Sequence, residues 1–333
     1  LTHSDKGLLQ SDAAGRLHNH PDTAQSTVTA AACGKTIIVG EHAVVYGARA
    51  VAMPLTNMAM GVRLTRTPAR TQSGAPVFKA VFGGRNLSDH VMGVIEDAFT
   101  VLGIAPFSLE IEGSSTILVG AGLGSSASLC VVVLKAVAKA AGIELSAREL
   151  ARCGNQLERR FHGNPSGLDT AVVAYEEAVS FVKGEAPVPI KVKTPAGARC
   201  WHFAIIDSCT RSSTIAMIKL AEPWFRENSA EKIAAFNHAS DLVISGLASG
   251  DPALVSQGMS ASGVLLAQAG VVNDQLAGLI DTAISAGCLA AKTTGAGGGG
   301  CVLALLDPKN PDLQLQALQR ALGPNRVIPL ELP

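Results

Sequence analysis

Apolar and polar positions along this chain follow two periods, and the shorter one comes first. Thr36-Ile37-Ile38-Val39 and Ala50-Val51-Ala52-Met53 are short apolar runs of β type, the second bounded by Pro54. Gly61-Val62-Arg63-Leu64-Thr65-Arg66 and Leu109-Glu110-Ile111-Glu112 alternate apolar with polar residues, as a strand with one solvated face does. Several strands thus precede any long helix, which argues against a simple doubly wound sheet.

The helical period then takes over. From Ser126 to Ala140, Leu129, Val132, Val133, Ala136, Val137 and Ala140 recur on one face, predicting a helix with one buried side. Ser146-Ala147-Arg148-Glu149 has the spacing of a capping box, so a second helix runs from there to about Arg160. A third begins near Ser166, after the Asn164-Pro165 turn. The stretch from Lys183 to Gly197 is rich in Pro, Gly and Lys and marks a domain boundary, dividing 27–195 from 196–333. Beyond it, residues 202–206 read as a strand. Helical patterns occupy 213–220, 229–248, 252–269 and 274–290, residues 301–306 form another strand, and 311–322 a last helix. Both halves are α+β, and no internal repeat is visible. Residues 1–26 are polar and mixed in charge, lack the apolar stretch of a secretory signal, and read as a flexible tail.

Composition narrows the function classes. At 333 residues the chain has room for two domains of roughly 150 residues each. With 47% hydrophobic and only 16% charged residues it suits a compact globular protein and excludes extensive disorder. Lys plus Arg equals Asp plus Glu at 27 each, so no broad field steers nucleic acid or an acidic membrane, and 4% aromatics leave few platforms for stacking bases. A nucleic-acid partner is not expected. The uncharged stretch between Glu112 and Lys135 is long enough to span a bilayer, but the glycines and serines of 120–126 would leave backbone groups unsatisfied in lipid, so no membrane partner is expected either. Seven cysteines without a C-x-x-C pair read as packed, reduced thiols of a cytoplasmic protein. No zinc set can be assembled from local His and Cys spacing.

The strongest candidate chemistry is Gly120-Ala121-Gly122-Leu123-Gly124-Ser125-Ser126-Ala127, between a predicted strand and a predicted helix. Its backbone amides converge with the free amides and dipole of the helix start, which favours an anion such as phosphate. It is not a Walker loop, because the lysine is missing. Gly295-Ala296-Gly297-Gly298-Gly299-Gly300 matches G-x-G-x-x-G formally but fails on context, since a helix is expected before it and a strand after it. It reads as a second glycine loop over a bound nucleotide or substrate. Lys35, Glu41 and His42 flank the first β run. Glu158 and Asp169 lie eleven positions apart at a helix end and the next helix start, where two carboxylates can face one cavity as magnesium ligand and proton acceptor. Taken singly, Lys35 is an ordinary surface charge and either acid an ordinary helix-end charge.

Taken together, Lys35 through Gly47, the 120–127 loop, and Lys292-Thr293-Thr294-Gly295-Ala296-Gly297-Gly298-Gly299-Gly300 resemble the three motifs of the GHMP kinases, in the right order and across about residues 28–306. Gly40-Glu41-His42-Ala43-Val44-Val45-Tyr46-Gly47 and His162-Gly163-Asn164-Pro165-Ser166-Gly167-Leu168-Asp169 resemble the mevalonate kinases within that superfamily. The resemblance implies an α+β, two-domain GHMP kinase fold: an N-terminal ribosomal protein S5 domain 2-like domain and a C-terminal ferredoxin-like α+β domain. It implies a cytoplasmic enzyme that transfers the ATP γ-phosphate to the C5 hydroxyl of mevalonate, with Mg2+ as cofactor, and it allows a homodimer. By the same resemblance Asp169 is the catalytic carboxylate, kept ionised by Lys35. ATP contacts fall on Lys35, Ser115, Gly120, Ala121, Gly122, Leu123, Gly124, Ser125 and Ser126, and metal ligands on Ser126 and Glu158. Substrate contacts fall on Glu41, His42, Thr214, Gly295, Ala296 and Gly297. The chain departs from the family pattern at Cys33, where proline is common, at Leu118-Val119, where animal enzymes usually have two prolines, and at Leu129, near which an aromatic is often found. None of these removes a catalytic group. The rival readings are a kinase for a related acceptor such as phosphomevalonate, which calls for extra basic residues around the pocket, and a non-catalytic ligand sensor of the same fold, which need not keep Lys35, Ser126, Glu158 and Asp169 together.

Overall fold

The computed structural model describes residues 26–86 and 89–333; the tail expected over 1–26 lies, Ser26 apart, outside the described residues. In chain order the first half contains β1 (Thr27–Val39), the short 3-10 helix Ala43–Tyr46, β2 (Ala50–Arg66), β3 (Phe78–Phe82), β4 (Arg85–Asn86), α1 (Asp89–Leu102) and β5 (Leu109–Ser115). Then come α2 (Ser125–Ala140), α3 (Ala147–His162), α4 (Leu168–Tyr175), β6 (Val179–Phe181) and β7 (Val188–Pro189). These seven strands form one sheet in the order β4-β3-β5-β2-β6-β7, with β1 paired to β2. The second half contains β8 (Trp201–Asp207), α5 (Thr214–Arg226), α6 (Ser229–Ser249), α7 (Pro252–Gln268), α8 (Asp274–Ser285), β9 (Ala290–Thr294), β10 (Cys301–Leu305), α9 (Pro311–Leu322) and β11 (Val327–Leu332). Its four strands form an antiparallel sheet in the order β11-β8-β10-β9.

The largest core cluster joins the two halves. It runs from Ile38, Met53 and Leu64 of the first sheet through Leu129, Val132 and Val133 of α2 to Phe203, Ile205, Leu303 and Leu305 of the second. The opposite face of the four-stranded sheet, with Ala204, Ile206 and Val302, packs on Leu276 and Leu279 of α8 and Leu318 of α9. This alternation of faces is the period of two expected of strands. Among the described residues no helix is long and apolar enough to cross a membrane.

Two sequence expectations change. The apolar run expected to stop at Pro54 continues as β2 to Arg66. Proline is tolerated there because β6 pairs only with 50–52 and β5 only with 60–66, so one edge of β2 is bare at Pro54, and the register of β1 slips between Cys33 and Gly34 opposite it. The helix expected over 274–290 ends at Ser285, Gly287 turns the chain at φ +90°, and β9 follows. All five β9 residues are buried, so the strand shows no alternation that would separate it from helix in the sequence. The 295–300 loop therefore joins two antiparallel strands. It still fails as a dinucleotide fingerprint, because a strand and not a helix follows it.

The capping box before α3 is present as expected: the Glu149 amide donates to Ser146 Oγ, and Glu149 Oε2 accepts from the Ser146 amide at 2.8 Å. Ser146→Ala removes one of these partners and is expected to cost about 1 kcal/mol of unfolding free energy, read by denaturant melts, with turnover unchanged.

Candidate active site

A cleft of about 240 Å³ opens where residues of both halves of the chain meet, and the three glycine-bearing segments line it. Its lining includes Lys35, Glu41, His42, Gly120, Gly122, Gly124, Ser125, Ser126, Glu158, Asp169, Thr214, Gly295 and Ala296. Sequence reasoning singled out all of these. Four other predicted residues lie outside the lining. Ser115 ends β5 exposed, with its Oγ accepting from the Ile117 amide at 3.1 Å. The Ala121 and Leu123 side chains point into the core, and Gly297 packs on Val271, leaving these three only backbone roles.

The 120–126 loop is shaped by alternate glycines. Gly122 and Gly124 both adopt left-handed φ, +80° and +79°. A Cβ on Gly124 would come 2.7 Å from Lys35 Cγ, and one on Gly122 would come 3.2 Å from Gly295 Cα. The first glycine loop thus touches the Lys35 stem on one side and the backbone of the second glycine loop on the other, contacts that only glycine permits. The Lys35 amide donates to Leu123 O at 2.9 Å and locks β1 to the loop.

Lys35 is not the surface charge it resembles in isolation. It is 3% exposed, and its Nζ lies 3.0 Å from Asp169 Oδ2 at the start of α4. Glu158, near the end of α3, is likewise buried, with Oε1 accepting from Ser126 Oγ at 3.2 Å. Burial first, then the charge of Asp169, push the Glu158 carboxyl up from its ordinary 4.5 to about 8, against the Ser126 hydrogen bond and Lys35. His162 Nε2 is 3.2 Å from Ser126 Oγ, and burial pulls that imidazole down. Ionising Glu158 beside Asp169 would set two negative charges against the single Lys35 ammonium, so a further cation would favour its charged form. Ser126 and Glu158 supply the oxygen donors that magnesium prefers, so these residues fit such an ion.

Also lining the cleft, His42 sits at φ +57°, and its Nε2 lies 2.8 Å from Ala296 O. A carbonyl only accepts, so Nε2 carries the proton; burial lowers this histidine's pKa and keeps the ring neutral. Glu41 pairs with Lys292 of β9, and both are fully enclosed. Burial pushes Glu41 up and Lys292 down, and each charge opposes the other's shift. Glu41 Oε2 has no protein partner. Thr294 ties the same two segments: its Oγ1 accepts from the Ile37 amide at 3.1 Å and lies 3.0 Å from Thr36 Oγ1. Ser212 donates to Gly297 O at 2.5 Å and holds the second glycine loop beside α5.

Sequence reasoning quoted Lys292 and His162 within motifs but gave them no role, and it did not single out Ser212, Ile215 or Ile218. Lys292 carried a readable signal, since a lysine in a strand with no polar alternation needs a buried acid. Ile215 and Ile218 carried none, because their helical spacing is that of any amphipathic helix.

The family description "GHMP kinases N terminal domain" matches residues 89–177, and "GHMP kinases C terminal" matches 243–325. The mevalonate kinase of Thermococcus onnurineus is 30% identical over 313 residues, covering 86% of this chain and 91% of that protein. That of Pyrococcus horikoshii is 30% identical over 305 residues, covering 84% and 88%. The crystal structure of Leishmania major mevalonate kinase in complex with R-mevalonate shares the fold at a TM-score of 0.78 and 20% identity, covering 95% of this chain and 98% of that one. The chain belongs to the GHMP kinases, and within them to the mevalonate kinase family.

The raised Glu158 pKa sets a pH dependence. Below 4.5 the group is protonated in folded and unfolded chains alike. As pH rises towards 8 the unfolded chain releases this proton while the folded one keeps it, so its contribution to stability is lost across that window. Denaturant melts of Glu158→Gln across pH 4.5 to 8 are expected to show a smaller loss of stability than the parent; parallel profiles would contradict the assignment.

Proposed function

We propose that this enzyme transfers the γ-phosphoryl group of ATP to the C5 hydroxyl of mevalonate, with Asp169 as the catalytic carboxylate. The observation that carries the reading is the Lys35–Asp169 pair, 3.0 Å apart, in a cleft also lined by the Gly120–Ser126 loop and the Gly295 loop. Family membership supplies the reaction class and the acceptor, and the geometry supports the roles.

The amides of 120–126 and the α2 start cradle the triphosphate, whose charge they meet with unpaired donors and a helix dipole. Ser126 and Glu158 would hold magnesium, which when bound offsets phosphate charge. The acceptor lies towards Glu41, His42, Thr214, Gly295 and Ala296, where the free Glu41 Oε2 and the Ala296 backbone offer polar contacts. Asp169 takes the hydroxyl proton as the oxygen attacks the γ-phosphorus and the bond to the β-phosphate oxygen breaks to release ADP, while Lys35 holds the carboxylate in place. Phosphoryl transfer is mostly positioning and charge neutralisation, so these groups suffice.

A phosphorylated acceptor would need further cations. Lys35 is the one lysine or arginine among the residues lining the cleft, which favours mevalonate over phosphomevalonate. The free cysteines among the described residues, five of them buried, support a reducing compartment, the cytoplasm.

The test is a coupled ADP-release assay with mevalonate, phosphomevalonate, homoserine and galactose as acceptors. Mevalonate is expected to give the highest kcat/KM. A preference for phosphomevalonate would overturn the acceptor assignment, and no turnover with any of the four would overturn the enzymatic reading.

A further inference from the structure

Away from the cleft, the four-stranded sheet brings together three side chains of mixed chemistry. Cys200 immediately precedes β8 and His202 lies within it, two residues apart, so both project from one face. Glu331 of β11 is the direct antiparallel partner of His202, which puts its carboxylate on that same face. The face is the one that bears α8 and α9 further along: Ala204 and Ile206 continue the even-numbered positions of β8 beneath those helices. At the Cys200 end the cover is thinner. Cys200 is buried, His202 half-buried and Glu331 exposed.

The donor atoms of the three residues all lie within 4.8 Å of one another, and Cys200 Sγ is 3.6 Å from His202 Nε2. Ligands on a tetrahedral zinc ion sit about 3.5 Å apart, from bonds of roughly 2.0–2.3 Å. The sulfur–nitrogen distance already matches, and rotation of the exposed Glu331 side chain closes the remainder. Among the described residues no other group of His, Cys, Asp and Glu converges in this way. Local spacing hid it, because the third donor lies 129 positions from the second along the chain and arrives only through strand pairing.

We propose that Cys200, His202 and Glu331 form a binding site for a single divalent transition-metal ion of the zinc type, distinct from the kinase cleft. The donor set decides the class of ion. A thiolate and an imidazole select borderline-soft cations, whereas magnesium prefers oxygen donors and belongs with the hydroxyl and carboxylate of Ser126 and Glu158. On binding, a sulfur–metal bond replaces the Cys200 S–H bond and the proton leaves to solvent; thiolate and carboxylate together then balance the dication. A water completes the tetrahedron on the exposed side. Because β11 is the edge strand of its sheet, the ion clips that edge to β8.

The experiment uses the full chain, stripped with a chelator, kept reduced, and titrated with cobalt(II) in excess magnesium. Wild-type protein and Cys209→Ser, which removes the exposed thiol, are expected to develop a thiolate-to-cobalt charge-transfer band saturating at one ion per chain. Cys200→Ser is expected to lose the band, and Glu331→Gln to weaken the apparent affinity, both with turnover retained. Absence of the band in wild type, or an undiminished band in Cys200→Ser, overturns the site. If Cys200→Ser does not fold, the exposed Glu331→Gln decides: unchanged cobalt affinity overturns the proposal, and reduced affinity upholds it.

Discussion

A lysine ammonium enclosed in protein needs a partner, and the placing of Lys35 constrains much of this molecule. Its side chain is almost wholly buried, and its carboxylate partner Asp169 comes from 134 positions further along the chain. Lys35 is enclosed while Asp169 is 29% exposed at the cleft, so losing the acid would strand a buried charge, and this ties β1 to the start of α4. Room for the lysine stem exists only because position 124 carries no Cβ. The cation, the acid and the glycine loop are therefore one packing solution: shifting any of them exposes or strands a charge.

A second enclosed pair, Glu41–Lys292, does the same for the other side of the cleft. It joins the segment after β1 to β9, and Thr294 adds hydrogen bonds between the same strands. Gly122 and Gly295 then meet backbone to backbone. The two halves of the chain share one continuous core, so the cleft has a packed floor. A floor of that kind fixes where a phosphate tail and an acceptor hydroxyl meet, which is the main demand of phosphoryl transfer.

Much of this was legible in the sequence wherever local rules set the outcome. The Ser146–Glu149 cap, the amphipathic face of α2 and the strand–glycine–helix order around residue 120 depend on neighbours a few positions away. What stayed hidden depends on distant neighbours. β9 is buried on both faces and shows no alternation, so no strand was expected between the helix and the glycine loop. Pro54 sits inside β2 because of where β5 and β6 stop, which no local pattern states. Taken singly, Lys35 and Glu158 looked like solvated charges until folding enclosed them, and Lys292 opened the third motif without a role of its own. The cleft residues were named through the order of three motifs, a property of the chain as a whole, and the backbone-only roles of Ala121 and Leu123 could not be separated from side-chain roles in that way.

In the proposed reaction Asp169, held by Lys35, takes the proton of the acceptor hydroxyl. This role is tested most directly by measuring single-turnover phosphoryl transfer and equilibrium ATP binding on folded Asp169→Asn, which keeps the shape of the side chain and removes its basicity. The account predicts transfer slowed by about a hundredfold to ten-thousandfold with nucleotide affinity retained. Transfer at close to the parent rate would contradict it.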